Sequence, residues 1–465
     1  MVDMDWKAKT ATPDIPGKPA KVANKALRVA IPSDFRVAEI LSPAPASLSA
    51  CALYEQYLRL PELAKLWTSR EFPAWSNEPV VKPALQALEM TFRFISSVLS
   101  DPRPYANRRE WERRLELLAT NQVQIIAALC EDGEEDPETR GTAPIVDLSS
   151  TNGVLVRDGS LTEVWKIPGE SPVVSRTSEA SLLPRLAEWH KSEDIAQKIL
   201  YSIECEMRRC PYTLGIGEPN LAGKPNLEYD LICKPQELHR LKKTPMDHIQ
   251  NYENQTLHAT HQILESWIFA AKMLLNRISD KIEREEFDKA SSDSWLLERV
   301  WKLLSEIEDL NLLLDPDDFL RLRNELQIRA TNESEALCFR SKQLIDVMKR
   351  SKELKHKVPH ILGVEVDPKG GPRVQDAAMK LYRGKGGFEK IHLLQAMQAV
   401  ESAVKKFFYG YKLMVVAVFG SLEAKASSGS VDSLSQIFLE PTYFPSLDAA
   451  KTFLGDFWSN ESRRR

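Results

Sequence analysis

The stretch that most constrains the fold is residues 254–280, NQTLHATHQILESWIFAAKMLLNRISD. Its apolar side chains recur at spacings of three, four and seven residues, which places them on one face of an α-helix. They are Leu257, Leu264, Ile268, Ala271, Leu275 and Ile278. A helix with such a stripe needs other helices or a sheet to cover it. We expect Leu264 to be buried, with Lys272 and Arg277 nearer to solvent.

His261 lies on the same stripe, four residues after Leu257 and three before Leu264. Its imidazole therefore points toward the core. One interpretation is a core histidine whose nitrogens are satisfied by hydrogen bonds, since buried polar groups normally find partners. The other is a histidine that faces a ligand at the floor of a pocket. The sequence leaves both open.

Composition excludes several classes of partner. The net charge of −4 over 465 residues is close to neutral, whereas a general nucleic-acid binder carries a basic excess. No run of about 18 apolar residues could span a membrane, and the first 30 residues contain no apolar core of a signal peptide. The six cysteines are scattered without CxxC spacing, which is typical of free thiols in a reducing compartment. We expect an intracellular protein with neither nucleic-acid nor membrane partners.

The chain divides into three parts by composition. Residues 1–46 are rich in Pro, Lys and Ala without periodicity, and we interpret them as a mostly disordered arm. Residues 47–178 form an N-terminal helical region with an acidic, then Gly/Ser/Thr-rich insertion at about 131–178, which we expect to be mobile. The segment GVLVRDGSLTEVWKIPG within it predicts a short hairpin. Residues 179–465 form a second helical domain.

Helical periodicity dominates outside the insertion, so the fold class is all-α. A helix is predicted to start at Lys82, with Pro83 in its first turn. Asp315 before Pro316 has the character of a helix N-cap. The predicted helices cover residues 48–69 (broken near Pro61), 82–99, 107–130, 179–210, 254–280, 294–314, 316–327, 333–355, 374–382, 389–419 and 444–458.

No catalytic constellation can be derived from spacing. The eight histidines include no HExxH pattern. His258 and His261 are three apart on a helix and could share a metal, but no carboxylate or cysteine stands beside them at ligand spacing. We therefore assign no catalytic residue and expect no metal site.

Several segments resemble the plant HSPRO family of nematode-resistance-protein-like proteins. They are MVDMDWKAK, YLRLPELAKLW (57–67), YTLGIGEPNLAGKPNLEYD (212–230), NYENQTLHATHQILESWI (251–268), VEVDPKGGPR (364–373) and KIHLLQAMQAVESA (390–403). The resemblance implies a cytoplasmic plant protein, with the nucleus as a further compartment, that responds to stress and to nematode and bacterial pathogens. It also implies a partner, the βγ-type subunit of the SNF-related kinase complex.

A more remote resemblance, over residues 250–445, is to the haem-containing tryptophan and indoleamine dioxygenases. Their THQ-x-x-E-x-W helix is matched by Thr260, His261, Gln262, Glu265 and Trp267. In that family the histidine contacts the substrate indole, and an arginine after an LDFNDF-like turn clamps the carboxylate. The turn is LDPDDF (314–319) here. The resemblance implies a helical bundle with a pocket for a small aromatic carboxylate, lined by His261, Arg321, Arg323, Leu257, Tyr411, Ser427 and Ser428.

Two of the chain's departures from the dioxygenase pattern bear directly on catalysis. The register of the proximal haem histidine falls on Tyr411 or Lys412, and no histidine follows His392. The glycine-rich loop is reduced to KASSG at 425–429, which removes residues that let a backbone approach a ligand closely. We therefore expect no cofactor and a non-catalytic regulatory protein. The alternative is a haem- or indole-type sensor or a dioxygenase-like enzyme, with Tyr411 as the ligand of any haem.

Overall fold

A computed structural model describes most of the chain from residue 52 onward. The described residues are 52, 54–73, 75–99, 107–131, 145–146, 154–157, 163–166, 193–210, 212, 214–216, 226–227, 229–241, 252–318, 341–365, 373–384, 386–419 and 441–464. Over these residues the protein is predominantly helical, so the all-α class is confirmed. No described helix is long and apolar enough to cross a membrane.

Three helices follow the first described residues: α1 (Leu60–Thr68), α2 (Glu78–Leu99) and α3 (Arg108–Glu131). Residues 54–57 are also helical, and the left-handed backbone of Arg59 (φ 56°) separates them from α1. The predicted break near Pro61 is therefore confirmed, with the proline in the first turn of α1 where its missing N–H costs nothing.

The predicted start of α2 was wrong by four residues. The helix begins at Glu78, and Pro83 lies inside it. The chain offers two prolines four residues apart, and Pro79 is the one that occupies the start of the helix. The carbonyl of Asn77 accepts from the N–H groups of Val80 and Val81 and so closes the first turn.

Four short strands are present in the described residues. Strands β2 (Val154–Arg157) and β3 (Glu163–Lys166) pair antiparallel, which confirms the predicted hairpin. Strands β1 (Ile145–Val146) and β4 (Asn226–Leu227) also pair antiparallel, with Ile145 opposite Leu227. This second pairing was not predicted, and it joins the insertion to a segment about 80 residues later. The arm, the proposed division near residue 178 and the rest of 131–178 lie outside the described residues, so their predicted mobility stays a prediction.

The middle of the chain contains α4 (Glu193–Glu206), α5 (Tyr229–Cys233), α6 (Pro235–Arg240), α7 (Tyr252–Glu283) and α8 (Phe287–Asp309), followed by a 3-10 turn at Leu310–Leu313. Helix α7 is the predicted central helix, two residues longer at its start and three at its end. Helix α8 begins seven residues before the predicted start. Its polar first half misled the prediction because Ser and Asp have low helix propensity. In the fold, Asp293 and Ser294 are buried and hydrogen-bonded.

The last part contains α9 (Lys342–Glu353), a 3-10 turn at Leu354–Lys357, α10 (Val358–Leu362), α11 (Val374–Arg383), α12 (Phe388–Phe419) and α13 (Pro445–Arg464). The predictions for α11 and α12 are confirmed within one residue at each end. Helix α9 starts at Lys342 rather than at residue 333, because Ser341 is extended and its hydroxyl caps the N–H of Leu344 at 3.0 Å. Asp315 caps residues 316–318 as predicted, accepting from the N–H groups of Asp317 and Asp318.

Helix α7 lies at the centre of the packing. It contacts α2 on one side and α8 and α9 on others, while α8 packs along α12 and α2 packs along α3. Leu264 is fully buried, as predicted, and Lys272 and Arg277 are partly exposed. All described helices belong to one compact unit. Helix α8 therefore contacts both α7 and α12.

Candidate functional site: a buried polar cluster on α7

The five residues of the THQ-x-x-E-x-W pattern are all buried in α7. Two of them donate hydrogen bonds from their side chains to other parts of the chain. Gln262 donates to the carbonyls of Leu58 and Leu241 at 2.9 and 3.4 Å. The indole N–H of Trp267 donates to Gln122 of α3 at 2.9 Å. These contacts give Gln262 and Trp267 a structural role in joining α7 to its neighbours.

His261 is 1% exposed and has one satisfied and one unsatisfied ring nitrogen. Its Nδ1 donates to the carbonyl of Leu257, one helical turn earlier, at 2.9 Å. Because a carbonyl only accepts, the proton of the neutral ring is on Nδ1, and Nε2 presents a lone pair. Nε2 has no hydrogen-bond partner in the described part of the chain. Burial lowers the pKa of His261 to about 4, so the ring is neutral at pH 7.

Glu265 follows His261 by one turn, and the two side chains are neighbours on the same face. Tyr54 contacts both of them. Its ring meets the His261 ring edge-on with centroids 6.0 Å apart, and its hydroxyl donates to Glu265 Oε1 at 3.0 Å. Burial raises the pKa of Glu265 to about 7, and the neighbouring Ser341 and Tyr54 hydroxyls partly offset that rise. Its second oxygen, Oε2, has no hydrogen-bond partner among the described residues.

Glu308, at the end of α8, is a second buried carboxyl close to the first. Burial raises its pKa to about 8, and the charge of Glu265 adds to the rise. Asn311 donates from Nδ2 to Glu308 Oε2 at 3.0 Å. The other oxygen of Glu308 and the amide oxygen of Asn311 have no hydrogen-bond partner among the described residues. Helix α7, the end of α8, the 3-10 turn and the N-cap of α9 thus contribute His261, Glu265, Glu308, Asn311 and Ser341, which we call the α7/α8 polar cluster.

His258 lies one turn before His261, in a separate environment. Its ring meets Tyr57 edge-on at 5.3 Å, and the Tyr57 hydroxyl donates to Asn254 Oδ1 at 2.8 Å. Burial lowers the pKa of His258 to about 4. In the described residues, no group of three or more His, Cys, Asp or Glu side chains could hold a metal ion.

The structure describes three of the seven predicted pocket residues. Leu257 is buried and accepts the His261 hydrogen bond. Tyr411 is 3% exposed and stacks on Phe407, with ring centroids 6.4 Å apart, in a cluster that also contains Trp301 and Phe408. His261 packs instead against Tyr54. Arg321, Arg323, Ser427 and Ser428 lie outside the described residues, so the shared pocket stays a prediction.

Sequence reasoning missed four members of this region: Tyr54, Glu308, Asn311 and Ser341. For one of them, Glu308, the sequence does contain a pattern that predicts burial. Glu308 follows Trp301 by seven residues and Leu304 by four, the same stripe spacing that identified His261. The contacts of Tyr54 and Ser341 cross more than 70 residues of sequence, and no local pattern predicts such contacts.

Comparison with known proteins covers both halves of the chain. Residues 1–204 match the Hs1pro-1 N-terminus and residues 207–460 match the Hs1pro-1 C-terminus. The chain belongs to the Hs1pro-1 family. This confirms the resemblance to HSPRO proteins. In this Hs1pro-1 member, Tyr54 comes from the N-terminal segment, whereas the residues of the α7/α8 polar cluster come from the C-terminal one.

Two curated relatives from Arabidopsis thaliana align over almost the entire chain. Nematode resistance protein-like HSPRO2 is 56% identical over 464 residues, covering 99% of this chain and 100% of the relative. Nematode resistance protein-like HSPRO1 is 53% identical over 466 residues, which cover 99% of this chain and 100% of the relative. The chain is therefore similar to full-length proteins that are named for nematode resistance.

Proposed function

We propose that this Hs1pro-1 protein is a non-catalytic regulator of the plant response to stress and to nematode and bacterial pathogens. In this proposal it binds the βγ-type subunit of the SNF-related kinase complex, in the cytoplasm and with the nucleus as a second compartment. The observation that carries the proposal is the similarity over 99% of the chain to two nematode resistance protein-like relatives. The kinase partner is what the family resemblance implies.

The packing around Tyr411 supports the non-catalytic part of the proposal. In the dioxygenase-like register, Tyr411 or Lys412 stands where the proximal haem ligand would be, and tyrosine is a known haem ligand. The Tyr411 ring is buried and lies nearly parallel to Phe407, while Phe407 also meets Trp301 at 5.4 Å. A side chain that is 3% exposed in aromatic packing leaves little space beside it for a porphyrin. This packing supports a protein that works without haem.

A second candidate function is a small-molecule sensor or dioxygenase-like enzyme with a haem- or indole-type ligand. One observation favours it: the buried Nε2 of His261 has no hydrogen-bond partner among the described residues. A free buried acceptor is expected of a histidine that accepts a hydrogen bond from a bound ligand. In this alternative the predicted pocket of His261, Arg321 and Arg323 binds a small aromatic carboxylate.

Affinity purification from plant cells tests the kinase proposal. The full chain with an affinity tag is expressed under stress, purified, and probed for the βγ-type subunit with a specific antibody. We expect co-purification that is absent with the tag alone. Recovery of the subunit in equal amounts from both samples would contradict the proposal.

A turnover assay separates the regulator from the enzyme. Purified protein is mixed with excess haemin, reduced, and given L-tryptophan and oxygen while N-formylkynurenine is followed. We expect no product. Turnover that His261→Ala abolishes would overturn the non-catalytic proposal. Stoichiometric haem binding without turnover would support a sensor, and Tyr411→Phe would then test the ligand.

A further inference from the structure

Three exposed apolar side chains lie in a row on α12. Tyr409, Leu413 and Val416 are 53%, 52% and 37% exposed. Their spacings of four and three residues place them on one face of the helix. No other described helix carries more than one of the exposed large apolar side chains. Single exposed apolar residues are normal on a protein surface, whereas a contiguous row is typical of an interaction site.

A groove adjoins this row and shares Tyr409 with it. The groove has a volume of about 440 Å³ and lies between α12 and the chain that enters α13, where Thr442 and Asp448 line it. The row and the α12 side of the groove form one surface, about 21 Å long at 1.5 Å per residue. We call it the α12 face, and its residues are Ser402, Lys405, Lys406, Tyr409, Leu413 and Val416.

The α12 face is positively charged, although the whole chain has a net charge of −4. Between residues 402 and 418 the helix contains no acidic residue and three lysines, Lys405, Lys406 and Lys412. Lys406 is exposed and forms no ion pair in the described part of the chain. Lys405 and Lys352 both lie over the Tyr443 ring, at 5.5 and 5.9 Å from its centroid, which brings a further positive charge beside the groove.

The two carboxylates that line the groove already have partners within the fold. Glu401 is 7% exposed, and its Oε1 accepts from Lys405 Nζ at 2.7 Å and from the backbone N–H of Tyr443 at 2.9 Å. Asp448 Oδ1 accepts from the side-chain amide of Gln398 at 2.7 Å. Lys406 therefore remains available to an acidic group from outside, and surfaces that associate are complementary in charge.

We propose that the α12 face binds an amphipathic α-helix of a partner protein. Its apolar side chains pack on Tyr409, Leu413 and Val416, and its acidic side chains reach Lys405 and Lys406. A facing helix of about 14 residues spans the face, and apolar anchors one turn apart are the usual basis of such recognition.

The charge of the α12 face favours a partner of different sequence over a second copy of this chain. A second α12 face would bring further lysines and no acidic residue to pair with Lys405 and Lys406. The inference does not depend on the kinase subunit as the partner, so either proposal can fail while the other stands.

Fluorescence anisotropy of two labelled peptides against the full chain tests the proposal. Both are designed helices of about 14 residues with leucines at spacings of three and four. One carries several glutamates on its other positions and the second carries lysines instead. We expect the glutamate peptide to bind with a dissociation constant of about 100 µM or tighter and the lysine peptide not to bind. Added salt should weaken binding, because it screens exposed charges.

Two variants of the α12 face have matched controls. Leu413→Asp places a charge in the apolar row, and Lys406→Glu reverses a charge beside the groove. Each should weaken binding of the glutamate peptide about tenfold. Leu117→Asp on α3 alters a leucine that is also 52% exposed, and Lys289→Glu alters a lysine of α8 that is 60% exposed. Neither control should change binding.

Four results would overturn the inference. They are no binding of the glutamate peptide up to about 1 mM, equal binding of both peptides, equal losses in the control variants and the face variants, or a dimer in analytical ultracentrifugation that Leu413→Asp abolishes. The last would show that a second copy covers the face. If a face variant does not fold, as judged by circular dichroism, the comparison of the two peptides on the unaltered chain decides.

Discussion

Burial sets the charge of single side chains in α7 and α8. His258 and His261 have pKa values lowered to about 4, while Glu265 and Glu308 have pKa values raised to about 7 and 8. In each case desolvation is the largest cause, because a buried charge loses its hydration. All four side chains are therefore neutral at mildly acidic pH, and the protein buries no charge at these positions.

These shifts predict how stability changes with pH. In the unfolded chain both glutamates ionise near pH 4.5, so above that pH the folded state binds more protons and stability falls as pH rises. The histidines act in the opposite direction between about pH 4 and 6.5, because there the unfolded chain binds more protons. Between pH 6.5 and 8 the two glutamates contribute most of the change, and we expect them to lower the free energy of unfolding by roughly 2 kcal/mol.

Urea unfolding at pH 6.5 and pH 8 measures this difference. The double variant Glu265→Gln and Glu308→Gln should lose most of the decrease, whereas Glu353→Gln, at an exposed position of α9, should keep it. A double variant with the same pH dependence as the unaltered chain would show that these two carboxyls ionise normally.

Leu264 provides a test of the core of α7. Its side chain is fully buried, so Leu264→Ala should lower the free energy of unfolding by about 2–5 kcal/mol. Leu413→Ala on α12 is the same substitution at a side chain that is 52% exposed, and it should cost about 0.5 kcal/mol or less. Similar losses for both variants, measured by urea unfolding, would mean that Leu264 is not packed as described.

At the scale of elements, a buried ion-pair group joins α7 to α8. Asp293 of α8 is fully buried and accepts from Arg277 Nε at 2.8 Å and from Lys281 Nζ at 2.9 Å. Arg277 also donates to Asn77 at 3.0 Å, just before α2. One carboxylate thus holds two helices together and connects them to a third.

Removing this carboxylate should be costly. Asp293→Asn leaves Arg277 and Lys281, each 16% exposed, without their shared counter-ion, and we expect a loss of about 3–5 kcal/mol in urea unfolding. The control is Glu116→Gln, which breaks the Lys198 pair between α3 and α4 at an exposed site and should cost about 1 kcal/mol or less. Equal effects of the two substitutions would show that burial does not strengthen the Asp293 pairs.

Element prediction from the sequence succeeded where one apolar stripe dominates. Helices α7, α11 and α12 have such stripes, and their ends were predicted within three residues. It failed where a boundary depends on tertiary contacts. The first half of α8 is polar, and its buried Asp293 becomes favourable only when Arg277 and Lys281 of α7 are in place. The candidate site was predicted in part for the same reason. His261 was identified from its place on the apolar stripe of α7, whereas Tyr54 beside it lies more than 200 residues earlier in the sequence and no local pattern predicts that contact.

At the scale of the whole molecule, the two family segments share one core. Tyr54 and Tyr57 bond to Glu265 and Asn254, Trp267 bonds to Gln122, and Tyr229 donates to Glu89 of α2 at 2.6 Å. Each of these contacts joins residues from the N-terminal segment to residues from the C-terminal one. Neither segment can be expected to keep its native packing alone, and binding experiments should therefore use the full chain.

If the proposed function holds, the full chain binds the βγ-type kinase subunit directly. Isothermal titration of the purified protein with the purified βγ-type subunit measures this without other plant proteins. We expect saturable binding with a fixed stoichiometry and a dissociation constant of about 10 µM or tighter, the range of specific protein complexes. Absence of heat and of complex formation at about 100 µM of both folded proteins, with the same result by analytical ultracentrifugation, would contradict the claim.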